Sequence, residues 1–234
     1  SIANKHADAM DNFPQVTCLP REESDRSSAE ILSQILPVIF ERNGFEKIYS
    51  DAWWYKLKAG TAVYGIFWNP LKNNGLGDIE IKQVDILNLF WEPGIKDIQK
   101  SKNIFHVELI DNETLVAMYP EMNGKLGDST VEIAKYVYDD NVDTKDKSAV
   151  IDRYYKKILN GMETVHYCKF CNGELLYASE NDPEYSERGF YDHGKYPFVF
   201  DTLFVEEGTP CGFGYIDIMK DAQKQIDILS NSLV

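Results

Sequence analysis

The stretch Val150-Ile151-Asp152-Arg153-Tyr154-Tyr155-Lys156-Lys157-Ile158-Leu159, Asn160-Gly161, Met162-Glu163-Thr164-Val165-His166-Tyr167-Cys168-Lys169-Phe170-Cys171, Asn172-Gly173, Glu174-Leu175-Leu176-Tyr177-Ala178 decides the fold class. Three runs rich in β-branched and aromatic residues are joined by two Asn-Gly pairs. That dipeptide readily supplies the positive backbone angles of a two-residue hairpin turn. A three-stranded antiparallel meander is therefore predicted from Val150 to Ala178.

Towards the N-terminus the β signal continues in shorter runs, Val63 to Trp68, Ile79 to Val84, Leu87 to Trp91 and Ile104 to Ile110. Asn73 to Gly77 and Pro93-Gly94 break them apart. Asn112 to Tyr119 reads as a short helix, Thr130 to Tyr136 as a further helix or strand, and Asp139 to Lys147 as a charged surface loop. Before these runs the period is helical. Ser27 and Glu30 form a capping-box signature ahead of Ile31, Leu32, Ile35, Leu36 and Ile39, with Pro37 expected to kink the helix they define. A second helix carries Phe45, Ile48, Tyr49, Ala52 and Trp53 and stops near Gly60. Trp54 and Tyr55 lie off its stripe, so it should be central or touch a partner. After the meander, Pro197 to Phe204 predicts one more strand and Tyr215 to Leu233 a last helix. The fold class expected is α+β, with an N-terminal helix pair, a central antiparallel sheet with a hairpin meander, and a C-terminal helix.

The chain has 234 residues, 44% hydrophobic and 13% aromatic, enough to bury a substantial core. Its formal net charge is −14. Because DNA affinity comes mainly from Lys and Arg displacing counterions, that balance disfavours a DNA-gripping domain and leaves protein partners or a DNA-facing but non-binding surface. No apolar run approaches the ~20 residues of a membrane-spanning helix. The four cysteines are expected as reduced thiols. A start at Ser1 and an end inside a helix at Leu233 and Val234 suggest a piece of a longer protein.

Candidate chemistry is sparse. Cys168 and Cys171, with His166 beside them, have zinc-like spacing, but residues three apart on a strand point to opposite faces. Asp139, Asn141 and Asp143 open like a calcium loop, yet Thr144 stands where such a loop needs glycine and Val150 where it needs glutamate. Asp192-His193 and Glu206-Glu207 are sequence neighbours, which do not readily converge on one substrate atom. Gly212-Phe213-Gly214 lacks a dinucleotide fingerprint's third glycine and its βαβ surroundings, so it reads as a turn feeding the last helix. No catalytic, cofactor-binding or metal-ligating residue is assigned. Three function classes stand: a structural assembly subunit, a non-viral acidic protein-interaction domain without catalysis, and a hydrolase that would need two carboxylates converging in a cleft.

Three segments, in order, favour the first. They are Asn4-Lys5-His6-Ala7-Asp8-Ala9-Met10 running through Pro14 to Pro20-Arg21-Glu22; His193-Gly194-Lys195-Tyr196-Pro197-Phe198-Val199-Phe200; and Gly208-Thr209-Pro210-Cys211-Gly212-Phe213-Gly214-Tyr215-Ile216-Asp217 followed by Gln223, Ile226, Asp227 and Ser230. The series resembles the wing-type body of portal proteins, the head-to-tail connectors of tailed bacteriophages and prophages. The resemblance implies residues 1–207 as an α+β wing-type body, and 208–234 as a glycine turn and helix leading towards a stem that lies outside this chain. It further implies a homododecameric ring at the capsid vertex, through which duplex DNA passes without specific binding. Terminase, capsid or scaffold proteins and tail adaptors would be partners of the longer protein. It implies no cofactor and no membrane, and a life in the virion after assembly in the host cytoplasm.

Within that resemblance the last helix is the candidate contact. At about 100° per residue Ile216, Met219, Ala222, Ile226, Leu229 and Leu233 gather into a stripe expected to pack on the subunit's own body. Asp217, Lys220, Asp221, Lys224, Asp227 and Asn231 take the far side. Ile228 falls among them, roughly 155° from the stripe. Asp217, Lys220, Asp221, Lys224 and Ile228 are accordingly the expected subunit-contact residues.

Overall fold

The computed structural model describes residues 1–126 and 145–232. It divides into two compact units, one of Ser1–Val84 with Pro197–Val234 and one of Asp85–Tyr196. The chain leaves the first unit, builds the whole of the second, and returns.

The second unit is a five-stranded antiparallel sheet in the order β3-β4-β5-β6-β7, made of β3 (Leu89–Trp91), β4 (Asn103–Asp111), β5 (Lys147–Leu159), β6 (Met162–Cys171) and β7 (Glu174–Ala178). Both Asn-Gly pairs form their turns with two consecutive left-handed residues: φ is 52° at Asn160 and 79° at Gly161, then 49° at Asn172 and 81° at Gly173. β5 starts at Lys147, three residues before the expected Val150, because Ser148 and Ala149 are buried and pair with Ile110 and Leu109. The predicted surface loop thus loses its end to the sheet, and its residues 139–144 lie outside the described residues, as does the element expected at 130–136. α5 (Asn112–Met118) places Leu115 over Val150 and Cys171, with Met122 completing a cluster in which all four are buried. Burying each large aliphatic side chain stabilises by about 1.5–3 kcal/mol.

The first unit opens with α1 (Ile2–Asp11), followed by α2 (Arg26–Arg42) and α3 (Phe45–Ala59). α2 starts at Arg26 with Asp25 as its N-cap residue and no side-chain cap. Ser27 is already inside the helix, so the capping box expected at Ser27 does not mark its start. Pro37 lies within α2, which runs on to Arg42. α3 is central, as its two-sided apolar pattern requires: it packs against α1, α2, β1 (Thr61–Asn69), β2 (Asp78–Val84) and α6 (Tyr215–Ser232). Trp54, off its main stripe, stacks on His6 of α1. After β1 a short helical turn, α4 (Lys72–Gly75), leads into β2. β8 (Phe198–Thr202) comes back after the inserted unit to pair with β1, giving the sheet order β2-β1-β8. Phe198 is fully buried there, edge-on to Phe67. Lys56 of α3, itself buried, joins its ammonium to Asp201 of β8 at 2.7 Å and lies over the Trp53 ring.

Candidate functional site

The last helix is rooted by close backbone packing. β9 (Phe204–Val205) and β10 (Gly212–Phe213) pair with each other. The Gly212 amide donates to the Thr61 hydroxyl at 2.8 Å. A Cβ on Gly212 would stand 2.0 Å from the Phe204 carbonyl oxygen, and one on Gly214 would stand 2.3 Å from the Lys58 carbonyl oxygen. Glycine is needed at both positions for space. Phe204 stacks on Phe213 and meets Tyr215 edge-on, and the Asp217 carboxylate accepts from the Gly214 amide at 2.9 Å, satisfying a donor at the helix start. The Gly212-Phe213-Gly214 motif is thus a close-packing device that aims α6.

Beyond that root, no described residue of α6 is buried. Ile216, Met219, Ile226 and Leu229 are 47%, 48%, 56% and 63% exposed. This corrects the expectation that the stripe packs on the subunit's own body: α6 contacts α3, but none of these apolar side chains is buried. The periodicity was legible, but an amphipathic stripe does not say which chain covers it. Ile218 is exposed beside the stripe, and Ile228, among the polar residues, is 67% exposed. Lys220, Asp221 and Lys224 are exposed on the polar side, whereas Asp217 is engaged in the helix start. A second uncovered apolar strip of the same unit lies on α2, where Ile31, Leu32, Ile35 and Val38 are all exposed.

A folded domain with two uncovered apolar helix faces fits a subunit built for an assembly. The whole-chain comparison says which: residues 7–233 match the family model of the phage P22-like portal protein. This chain belongs to that family. Comparison with curated proteins finds no match. The protein is a structural subunit of the phage portal, an oligomeric ring at the capsid vertex whose partners include the capsid and DNA. No helix among the described residues is long and apolar enough to cross a membrane.

The other candidate residues take ordinary places in this portal subunit. Cys168 pairs across the sheet with Arg153 and Cys171 with Val150, so the two sulfurs occupy opposite faces. Burial pushes both thiols up, away from the thiolate form a metal takes. His166 contacts the Ser179 hydroxyl through Nδ1 at 3.0 Å. Asp192 receives Arg188 at 3.0 Å, while His193 accepts from the Lys195 amide and stacks on Tyr191. Glu206 and Glu207 are both exposed. Asp139, Asn141, Asp143 and Thr144 lie outside the described residues. An open groove of about 1110 Å³ is lined by Phe13, Pro14, Val16, Pro37, Phe40 and Phe45 among others.

One constellation had no local signal in the sequence. On β4 His106 and Glu108 share a face, and the register sets Asp152 of β5 opposite His106. The imidazole Nε2 is 3.8 Å from a Glu108 oxygen and Nδ1 is 3.8 Å from Oδ2 of Asp152. Tyr167 donates its hydroxyl to Oδ1 of Asp152 at 2.6 Å, and Lys169 stands 3.4 Å from the same oxygen. Alternation would pair His106 with Glu108, but only the register adds Asp152.

Burial opposes ionisation of Asp152, yet His106, Lys169 and Tyr167 together outweigh it and hold the carboxyl below its usual range. Its charge therefore stabilises the fold above the ordinary carboxylate pKa of about 3.9, and that contribution is lost as pH falls through the lower folded value. Asp152→Asn is expected to flatten this acid limb. Urea unfolding over a pH series checks it, and an unchanged slope would show that Asp152 does not set the limb.

Proposed function

We propose that this chain forms the wing-type body of a non-catalytic portal subunit, 1–207, and that 208–234 turns it towards the stem. The uncovered stripe on α6 carries the reading. A ring grows by head-to-tail contacts in which one patch of a subunit meets a different patch on the next. In this subunit the α6 stripe docks on a neighbouring copy, Lys220, Asp221, Lys224 and Ile228 on the opposite face of the helix offer a second, separate contact, and Asp217 holds the helix start. The uncovered face of α2 supplies a second, different apolar patch, as ring closure requires. The ring is a dodecamer, assembled in the host cytoplasm, and the longer protein also meets terminase, scaffold and tail-adaptor proteins. Sedimentation of the assembled protein, with and without changes on α6, tests the contact.

The charge supports a non-gripping passage for DNA. With 24 Lys and Arg against 38 Asp and Glu, the whole chain repels phosphate more than it attracts it, which suits a conduit in which DNA must slide. Negligible affinity of this chain for duplex DNA at physiological salt is expected. Fluorescence titration checks this, and sub-micromolar binding that weakens with salt would overturn the non-gripping conduit.

A further inference from the structure

We propose that one face of the five-stranded sheet is a docking surface for a partner-protein segment that carries a carboxylate between apolar side chains, with Arg153 as the anchor. The sheet's other face is core, where Ile104, Tyr154 and Val165 are buried and Leu115 of α5 covers Val150 and Cys171. An antiparallel sheet with one face in the core ordinarily turns polar residues to the other side. Here the other side is largely apolar. The register lines up Phe90, Phe105, Arg153 and Cys168 in one row across four strands, and Val107, Ile151, Phe170 and Leu175 in the next. Phe90 and Leu175, on the two edge strands, are 53% and 56% exposed, and Phe105, Ile151 and Phe170 between them are half-buried. A contiguous apolar patch of this kind marks an interaction surface.

Arg153 says what the occupant carries. Its guanidinium lies 4.5 Å from the centre of the Tyr155 ring and 5.8 Å from that of Phe105. Nε and Nη2 both donate to the side-chain oxygen of Asn103, at 3.1 and 2.7 Å. These contacts fix the plane of the group but bring no negative charge to it, and among the described residues Arg153 has no ion-pair partner. Glu180, which reaches the Tyr155 hydroxyl, is already paired with the Lys157 ammonium. A half-buried guanidinium set among rings has lost part of its hydration, so it gains most from a carboxylate that arrives with apolar neighbours and excludes water. Arginine beside aromatic side chains is also the composition of interface hot spots. Nucleic acid offers anions too, but its affinity comes from many cations displacing counterions, and here Lys157 is spent on Glu180. The surface belongs to the second unit, so it is separate from the α6 stripe of the first.

The test selects a displayed random dodecapeptide library on the whole 234-residue chain and measures the enriched peptides by fluorescence polarisation. The enriched peptides should share an Asp or Glu flanked by apolar residues, and lose their affinity when that acid is replaced by its amide. Arg153→Gln should weaken them about 30-fold, with circular dichroism and melting temperature unchanged. Phe90→Ala, at the exposed edge, should weaken them about 5-fold, while Ile226→Asp on α6 should bind as the parent does. Enriched peptides without an acid overturn the proposal, as do affinities unchanged in Arg153→Gln. Should Arg153→Gln lower the melting temperature, Phe90→Ala decides, and full affinity in that variant overturns the surface. A single-stranded oligonucleotide that binds the parent and is lost in Arg153→Gln would give the face to nucleic acid and overturn the protein partner.

Discussion

Replacing Ile226 with aspartate is expected to abolish ring assembly while leaving the subunit folded. Ile226 lies in the stripe that also carries Met219 and Leu229, and all three are exposed in the single chain. A carboxylate there meets water in the monomer and costs the fold almost nothing. In the ring contact proposed for this stripe the same position would face a neighbouring copy, where an unpaired buried carboxylate costs about 3–5 kcal/mol. Even the lower figure weakens each contact more than about 100-fold, and every contact in the ring carries it. Ile228→Asp, on the polar side, should weaken assembly less. Sedimentation velocity with thermal unfolding separates the outcomes. Rings that form normally in Ile226→Asp would show that the stripe is not a subunit contact, and a lowered melting temperature would show that it packs within its own chain.

Gly212→Ala is expected to destabilise the first unit by about 3 kcal/mol, through overpacking of a site that cannot relax. The added Cβ would stand 2.0 Å from the Phe204 carbonyl oxygen and 2.4 Å from a methyl of Thr202. The threonine could yield, but the carbonyl belongs to the β9–β10 pair and has little freedom to move. Relief requires β10 to lift, which would break the amide bond from Gly212 to Thr61 and loosen the start of α6. Urea unfolding should show a lower midpoint, and assembly should weaken because α6 is no longer aimed. A change below about 0.5 kcal/mol, the range of an ordinary surface substitution, would mean that the close approach is not structurally required.

These effects differ in how far the sequence announces them. The meander was legible because an Asn-Gly pair specifies its turn within two residues; once the turns are set the register of β5 with β6 follows, whereas that of β6 with β7 shifts between Lys169 and Phe170. The extents of α3 and α6 were legible because apolar spacing and glycine stops are local features. The ordered segments from Asn4 to Ser230 pointed to the portal family, and the match over residues 7–233 bears that out.

Tertiary structure alone decided which surfaces are covered and which distant residues meet. The α6 stripe has the same periodicity whether its own chain or a neighbour buries it, so the sequence could not assign its partner. The return of β8 to β1 rests on pairing between segments far apart, and the ion pair from Lys56 to Asp201 spans 145 positions, so no local propensity encodes either. Gly212 and Gly214 carried the letters of a turn, but their need for space comes from Phe204 and Lys58, brought against them by the fold. His106 and Asp152 become neighbours only through the pairing of β4 with β5. Local chemistry determined the elements and their turns. Burial and cross-strand register, which are properties of the assembled chain, decided where those elements expose apolar faces and bring donor atoms together.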